Sequence, residues 1–281
     1  MNSKYSKTRK GIDMKLSVSN IAWEEKLDKE VYQLLKKYGF EGVEIAPTRW
    51  IAKEPYDHIA EAKTIAETLR DTYGYVVPSM QSIWFGKNMM IFANEEERQE
   101  LLVYTQKAVD YASAIGCKNL VFGCPRNRNI DREWNLTKQQ IDEIAIPFFK
   151  ELGDYALAKG TVIGMEANPT IYNTNYINTT ESALELIDKV ASEGFLLNLD
   201  VGTMICNEES ADSLKGKIHL INHVHISEPG LKPITDRPLH KELIDLLKAE
   251  NYQKFVSIEM GKQEDITILD GVLAYVAALA K

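Results

Sequence analysis

Three acidic residues and one histidine stand where short apolar runs end in the second half of the chain. The four endings read Gly164-Met165-Glu166, Asn198-Leu199-Asp200, His223-Val224-His225 and Ser257-Ile258-Glu259. If these runs are strands, each ionisable group shares a face with a small or polar residue, and the bulky apolar residues take the other face. Three carboxylates that converge in a partly dry site repel one another unless a positive charge lies between them. The set therefore predicts one divalent cation. Its oxygen-rich donors favour Mn2+, Mg2+ or Co2+, and Zn2+ is compatible with the same residue types.

Two histidines lie two positions apart in the third of these runs. His223 and His225 point the same way, one pleat apart, because strand side chains alternate. One interpretation is a buried strand whose histidines hydrogen-bond to their neighbours. The other is that His225, nearer the strand end, binds the metal. His223 is then expected to support the interior or to hydrogen-bond to the metal-binding groups.

The elements that must position these residues alternate along the chain. From Lys15 onward, short apolar runs alternate with longer amphipathic runs, which is typical of βα units around a parallel sheet. We predict eight strands, at residues 15–20, 42–46, 75–82, 119–123, 161–167, 195–200, 221–229 and 254–259. We predict eight helices, at residues 28–38, 55–73, 94–115, 137–159, 180–192, 210–216, 239–250 and 266–280.

Eight such units favour a single closed (β/α)8 TIM barrel of the α/β class over two domains. The 281 residues suit one barrel, which commonly takes about 250, and no linker rich in Gly, Pro or Ser separates the units. We expect residues 14–281 to form the catalytic barrel and residues 1–13, which are basic and polar, to form a disordered tail that is not a secretory signal. In such a barrel the active site lies at the C-terminal ends of the strands, where the four ionisable groups stand.

Composition excludes some classes of protein. The chain is 44% hydrophobic and 26% charged, and no apolar run approaches the ~20 residues of a membrane span, so we expect a soluble protein without a membrane partner. The net charge of -8 argues against nucleic acid as the main partner. Three cysteines without CxxC spacing fit reduced thiols in a cytoplasmic protein.

With these residues in place, the chain resembles the xylose-isomerase-like TIM-barrel superfamily, in particular its sugar-phosphate isomerase/epimerase and ketose 3-epimerase branch. The resemblance covers nearly the whole chain from Met14. It implies that Glu166, Asp200, His225 and Glu259 bind one divalent metal, and that Glu166 and Glu259 also serve as the acid/base pair. By resemblance only, the protein could also be a homo-oligomer.

Two positions depart from the family pattern. Thr203 stands three residues after Asp200, where the family commonly has a histidine that touches substrate or, in related apurinic endonucleases, a further metal. Gln81 stands near the place where those endonucleases carry a zinc-binding histidine. Both changes argue against a multi-zinc endonuclease, and we expect Thr203 and Gln81 to face the substrate instead.

Further substrate-binding residues are expected in the loops after the strands. The tryptophans share this end of the barrel and offer flat apolar surfaces for a sugar, or else they plug the mouth or an oligomer contact; they are Trp23, Trp50, Trp84 and Trp134. Glu44 is, by resemblance, a substrate contact, or alternatively a satisfied buried acid. Arg126 and Arg128 lie in a loop that resembles a Gly-Ser-Pro-x-x-Arg turn, and could bind a phosphate or carboxylate or simply be solvated. The candidates at the rim are Glu228, Lys232 and Arg237.

These observations predict a metal-dependent isomerase or epimerase of a small-molecule sugar or sugar phosphate. A carboxylate would remove a proton next to a carbonyl through an enediolate, and a second carboxylate would return a proton to the other face or to the other carbon. One alternative is a metal-dependent dehydratase of a keto-polyol, of the inosose type, which needs the same metal and base. Another is a sugar-binding barrel without turnover, although such a barrel would have little reason to keep three repelling acids.

Overall fold

The residues predicted to bind the metal lie in, or directly after, parallel strands of one sheet. The structure, a computed structural model, describes residues 14–281, and the predicted tail of residues 1–13 lies outside the described residues. Within them, seven strands pair in the order β2-β1-β7-β6-β5-β4-β3, all parallel. Their bounds are β1 Lys15–Ser19, β2 Gly42–Glu44, β3 Leu120–Phe122, β4 Ile163–Met165, β5 Phe195–Asp200, β6 Ile221–Ser227 and β7 Phe255–Glu259.

The segment predicted as the third of eight strands, residues 75–82, forms only isolated bridges. Parallel bridges join it to β2 and to the start of β3, at Gly42–Val76, Ile45–Met80 and Met80–Leu120. Pro78 has no N–H to donate, which interrupts a regular ladder in the middle of the segment. Gly42 leaves room for the proline ring, because a Cβ there would stand 2.9 Å from Pro78 Cδ. The segment still joins the two ends of the sheet, so the predicted barrel of the α/β class is confirmed.

Helices follow the strands around the outside of the sheet. Their bounds are α1 Asp28–Tyr38, α2 Pro47–Trp50, α3 Ile59–Thr68, α4 Glu95–Ala114, α5 Lys138–Ala158, α6 Thr180–Val190, α7 Val201–Cys206, α8 Pro238–Ala249 and α9 Ile266–Ala280. The long helix predicted over 55–73 is divided into a 3-10 turn at Pro55–Asp57, α3, and a wider π-helical turn at Leu69–Tyr73. Among the described residues, no helix has both the length and the apolar composition needed to cross a membrane.

The helix predicted at residues 210–216 is wrong. Residues Ala211–Leu214 form only a 3-10 turn, and α7 instead begins at Val201, directly after β5. The cause is local, because the Asp200 side chain accepts a hydrogen bond from the Thr203 backbone N–H and so caps a helix at the end of the strand.

Helix starts elsewhere follow the sequence closely. Asn94 accepts from the Glu97 N–H at the start of α4, as predicted, and Thr137 forms a capping box with Gln140 at the start of α5. The helices bury their apolar faces on the outer face of the sheet in one continuous core. This leaves the inner face of the sheet for the small and polar side chains.

Candidate metal centre

Four side chains from neighbouring strand ends converge at the mouth of the barrel. One potential ligand atom from each of Glu166, Asp200, His225 and Glu259 lies within 4.8 Å of all the others. His225 Nδ1 is 3.1 Å from Glu166 Oε1 and 3.2 Å from Glu259 Oε2. Glu166 directly follows β4, Asp200 and Glu259 end β5 and β7, and His225 lies in β6. The structure therefore brings together all four residues that the sequence predicts to bind the metal.

Glu44 lies beneath His225 and determines which imidazole nitrogen faces the cluster. Glu44 Oε2 is 2.9 Å from His225 Nε2 and 3.3 Å from His223 Nε2, and Glu44 is completely buried. Because an ionised carboxylate only accepts hydrogen bonds, His225 must carry a proton on Nε2. In the neutral imidazole, the lone pair of Nδ1 then points toward the three carboxylates, as a metal ligand requires.

Glu166 is held by an amide on each carboxylate oxygen. Asn198 Nδ2 donates to Oε1 over 2.9 Å, and Asn168 Nδ2 donates to Oε2 over 3.0 Å. Gly123, at the end of the neighbouring strand, leaves the space for this carboxylate, since a Cβ there would stand 2.6 Å from Glu166 Oε2. The two amides and the glycine fix the carboxylate at the position it would need beside a cation.

The Asp200 carboxylate is held by hydrogen bonds from two elements, α7 and β6. Its Oδ1 accepts from the Thr203 N–H over 2.6 Å and from Thr203 Oγ1 over 2.8 Å. Its Oδ2 accepts a hydrogen bond from Ser227 at the end of β6. Thr203, predicted to face the substrate, is 1% exposed, and its single hydroxyl proton is shared between Asp200 Oδ1 and the Ala167 carbonyl oxygen, each 2.8 Å from Oγ1. In this structure Thr203 therefore orients Asp200, chiefly through its backbone N–H.

The charges in this cluster are poorly balanced without a cation. Burial, followed by the nearby Glu166 carboxylate, raises the pKa of Asp200 to about 6. Burial also raises the pKa of Glu259 to about 7, against the lowering effect of His225. Burial would lower the pKa of His225, but the carboxylates of Glu44 and Glu259 raise it well above its usual value. Burial and mutual repulsion disfavour the charged carboxylates, and a divalent cation among these convergent oxygen and nitrogen donors would offset both effects, so the residues fit a divalent metal.

A small cavity opens onto the cluster. Its volume is about 140 Å³, and it is lined by Pro125, Glu166, Asn168, Tyr172, Asp200, Ser227, Glu228, Leu231 and Glu259. Tyr172 accepts a hydrogen bond on its hydroxyl from the Gly230 N–H, which links the loops after β4 and β6 beside the cavity. The described residues that line it include carboxylates, an amide and two hydroxyls, but no lysine or arginine.

The tryptophans predicted to contact substrate lie outside this lining. Trp23 is 2% exposed, and its indole N–H donates to Asp28. Trp84 is 3% exposed, packs against Phe122, and donates to Thr105 in α4. Trp50 and Trp134 are half-buried and pack against the hydrophobic core. In this structure Trp23 and Trp84 therefore act in packing.

The two arginines of the loop after β3 have different surroundings. Arg128 is completely buried and donates to the Glu166 carbonyl, to Asn168 Oδ1 and to the Ile177 carbonyl. Its guanidinium therefore orients the Asn168 amide toward Glu166 and is not directed at the cavity. Arg126 is exposed at the surface.

The remaining predicted contacts divide between the rim and the interior. Glu228 lines the cavity but forms a bidentate ion pair with Arg237, with contacts of 2.6 and 2.7 Å. Lys232 is exposed. Gln81 is buried and donates to Ser19 Oγ at the end of β1. Glu44, expected by resemblance to contact substrate, is placed one layer below the cavity by its contacts with the two histidines.

Asn168, Ser227 and Tyr172 were missed by reasoning from the sequence. The alternation of side chains in a strand could have indicated two of them, because Asn168 is two positions after Glu166 and Ser227 two positions after His225. No comparable signal marks Tyr172, which reaches the cavity from a 3-10 turn at Thr170–Tyr172.

Comparison with known proteins gives the same fold. The family described as xylose isomerase-like TIM barrel matches residues 32–276. The 3-keto-D-glucoside 4-epimerase YcjR from E. coli is 21% identical with a TM-score of 0.75, over 94% of this chain and 99% of that chain. D-psicose 3-epimerase from Clostridium cellulolyticum H10, solved with D-tagatose, is 16% identical with a TM-score of 0.77, over 95% and 98%. The IolI protein, solved with a zinc atom, is 19% identical with a TM-score of 0.65, over 95% of each chain. Among curated proteins, none matches the chain significantly.

Proposed function

The chain belongs to the xylose isomerase-like TIM-barrel family, and from this premise we propose that it is a divalent-metal-dependent isomerase or epimerase of a small sugar. The observation that carries the proposal is the cluster of Glu166, Asp200, His225 and Glu259, whose ligand atoms lie within 4.8 Å of one another at the barrel mouth. Similar folds in two epimerases and in a zinc-containing protein support it.

The four side chains would hold the metal, with His225 contributing Nδ1. When bound, a divalent cation polarises a carbonyl and stabilises the negative charge of an enediolate. The oxygen-rich donor set favours Mn2+, Mg2+ or Co2+, which we propose first. Zn2+ is the alternative, because it is compatible with the same donors and occurs in the IolI structure.

Glu166 and Glu259 are the proposed acid/base pair. They stand at the ends of β4 and β7, which β5 and β6 separate in the sheet, so that they reach the cavity from different sides. One carboxylate can therefore remove the proton from the carbon next to the carbonyl, and the other can return a proton from another direction. The substrate then leaves either as its epimer or as its carbonyl isomer.

The lining of the cavity favours an uncharged sugar over a sugar phosphate. A phosphate is normally bound by arginine, lysine or backbone N–H groups, whereas the described lining residues contain three carboxylates of the cluster and the paired Glu228. Hydroxyl groups of a neutral sugar can donate to such carboxylates. Arg126 and Lys232, both exposed, are the candidates for a phosphate contact if a phosphorylated substrate is used.

Solvent exchange tests the proposal directly. Protein loaded with Mn2+ is incubated in D2O with a panel of ketoses and their phosphates, and incorporation of deuterium at carbon is followed by NMR. We expect incorporation with at least one sugar, and loss of incorporation by more than about 100-fold in Glu166→Gln and in Glu259→Gln, because each variant lacks a general base. Full activity in either variant would remove that residue from the mechanism.

The same panel separates the alternatives. Release of water from a keto-polyol would identify a dehydratase, whereas saturable sugar binding without exchange would identify a binding protein. A wild-type protein that binds none of Mn2+, Mg2+, Co2+ and Zn2+ at millimolar concentration would refute the metal-dependent reaction.

A further inference from the structure

A continuous chain of side-chain hydrogen bonds runs through the barrel from Lys254 to Glu166. It has four links between five residues. In order, Lys254 Nζ donates to Asn222 Oδ1 over 3.0 Å, Asn222 Nδ2 to Asn119 Oδ1 over 2.9 Å, Asn119 Nδ2 to Asn198 Oδ1 over 3.1 Å, and Asn198 Nδ2 to Glu166 Oε1 over 2.9 Å. Every amide therefore accepts on the side of the lysine and donates on the side of the carboxylate.

Chemistry at the two ends imposes this direction. An ammonium group has no acceptor, so Asn222 must turn its oxygen toward Lys254. The Asn222 amide nitrogen also donates to the Lys118 carbonyl, which can only accept, and this contact requires the same orientation. At the other end, an ionised Glu166 can only accept, so Asn198 must turn its nitrogen toward it. The orientation of Asn119 follows from its neighbours on both sides.

The barrel leaves space for the middle of the chain. Asn119 is 1% exposed and Asn198 is completely buried. A Cβ on Gly164 would stand 2.5 Å from Asn119 Oδ1 and 3.1 Å from Asn198 Cβ, so the contact between the two amides depends on glycine at that position. Successive hydrogen bonds that point the same way polarise one another and strengthen the last donor of the series.

From this arrangement we infer that the three asparagines are positioning residues for the carboxylate of Glu166. The inference rests on the proposed function, in which Glu166 is a base and a metal ligand. Asn198 holds Oε1 of this carboxylate, and Asn119 and Asn222 prevent the Asn198 amide from turning. Lys254, remote from the cavity, sets the direction of the series. None of the three asparagines lines the cavity. Asn119 and Asn222 act through Asn198, whose amide nitrogen is 2.9 Å from Glu166 Oε1 and, more distantly, 3.4 Å from His225 Nδ1.

The first experiment observes the chain in metal-free protein labelled with [15N]asparagine. The Asn198 side-chain NH2 signal is identified by its loss in Asn198→Leu. We expect this signal to shift in Asn119→Leu, because its partner on the oxygen side is gone. The Asn198 signal should stay in place in Ser192→Ala. This variant removes a hydrogen bond to Asp154 just before β5, the strand that carries Asn198. An unchanged Asn198 signal in Asn119→Leu would contradict the inference that the hydrogen-bond series orients the Asn198 amide.

The second experiment measures the dissociation constant of Mn2+ by titration calorimetry. Asn198→Leu should weaken binding by about 10- to 100-fold, as is typical for partners that orient a metal ligand. Asn119→Leu should weaken it about 3- to 10-fold in the wild-type background and no further in the Asn198→Leu background, because its effect passes through Asn198. Equal losses in both backgrounds, or no loss in the wild-type background, would contradict the inference. Ser192→Ala should bind as the wild type does.

Failures of the two proposals are distinguishable. Absence of binding of Mn2+, Mg2+, Co2+ and Zn2+ by the wild-type protein would refute the proposed function, while the NMR measurement in metal-free protein would still decide whether the hydrogen-bond series orients Asn198. If Asn119→Leu does not fold, Asn222→Leu interrupts the same series one link earlier, and the same outcomes apply to it.

Discussion

A single buried carboxylate decides which nitrogen of His225 is offered to the metal. Glu44 accepts from Nε2, and Nδ1 is left to face the cluster. Burial would raise the pKa of Glu44, but the two histidines hold it well below the usual value, so that the acceptor stays ionised. The imidazole is thus oriented before any metal arrives, which reduces the cost of ordering the ligand on binding.

Glu44→Gln should weaken Mn2+ binding by about 10- to 100-fold. The glutamine amide can donate to His225 Nε2, which would move the imidazole proton to Nδ1 and turn a donor toward the metal position. Calorimetric titration with Mn2+ measures the effect. Ser257→Ala is the matched control, since it removes a buried contact of His223 and none of His225. Wild-type affinity in Glu44→Gln would show that the tautomer is fixed in another way.

The sequence indicates which side chains share a face, but not how deep they lie. Side-chain alternation brings Glu166, Asp200, His225 and Glu259 to one side of their strands, and this is enough to identify the cluster. The depth of Glu44 depends on His225, which is 181 positions away. The burial of Arg128 depends on the loop at 166–178 that folds over it, so a polar loop in the sequence gives no sign of it.

At the scale of elements, strand glycines provide the room that the interior polar groups need. Gly123 makes space for the Glu166 carboxylate and Gly164 for the contact of Asn119 with Asn198. Neither has a left-handed backbone, so the requirement is for space and not for conformation. The inner face of the barrel can therefore hold polar groups in contact instead of a filled apolar core.

Gly164→Ala should lower the free energy of unfolding by about 1–3 kcal/mol, the usual cost of overpacking a rigid interior. Urea unfolding of the metal-free protein measures it. Gly271→Ala in α9 is the control, because nothing lies within 4 Å of its Cβ position and alanine favours a helix by about 1 kcal/mol. We expect the two changes to have opposite signs, and stabilisation by Gly164→Ala would mean that the interior is looser than the structure indicates.

Most elements could be predicted from apolar periodicity, and the exceptions have local causes. The third predicted strand contains Pro78, which breaks the ladder although the segment keeps its place in the barrel. The helix predicted near Ser210 is absent, and a different helix, α7, follows β5 because Asp200, the last residue of β5, also caps it. A residue that serves both as strand end and as helix cap cannot be recognised from periodicity, which describes one element at a time.

At the scale of the whole molecule, the metal should determine how stability depends on pH. In the metal-free protein the pKa values of Asp200 and Glu259 are raised to about 6 and about 7. Between about pH 4 and pH 7 the folded protein therefore holds protons that the unfolded chain has released, so stability falls as the pH rises. The raised pKa of His225 acts in the same direction above about pH 6.5, because its stabilising effect is lost as the pH rises through the folded value.

We expect the melting temperature of EDTA-treated protein to fall between about pH 6.5 and pH 8, above the range in which the lowered pKa values of His223 and His240 act in the opposite direction, and Mn2+ to raise it most at the higher pH, where protons no longer compete for the ligands. Differential scanning calorimetry with and without Mn2+ measures both effects. The double variant Asp200→Asn, Glu259→Gln should lose most of the metal-free slope and most of the response to Mn2+. A metal-free melting temperature that rises over this range would contradict the prediction.

The pairing of the first strand with the last has a consequence for the order of assembly during synthesis. Ser17 in β1 contacts Ser257 in β7 across 240 positions of sequence, and β1 has β2 as its other partner. While the ribosome extends the chain, β4, β5 and β6 can pair as they emerge, and they bring Glu166, Asp200 and His225 together. Glu259 arrives only with β7, whose pairing with β1 on one side and β6 on the other closes the sheet. Closure of the barrel and completion of the ligand set are therefore one late event, and a nascent chain that stops before β7 should have neither.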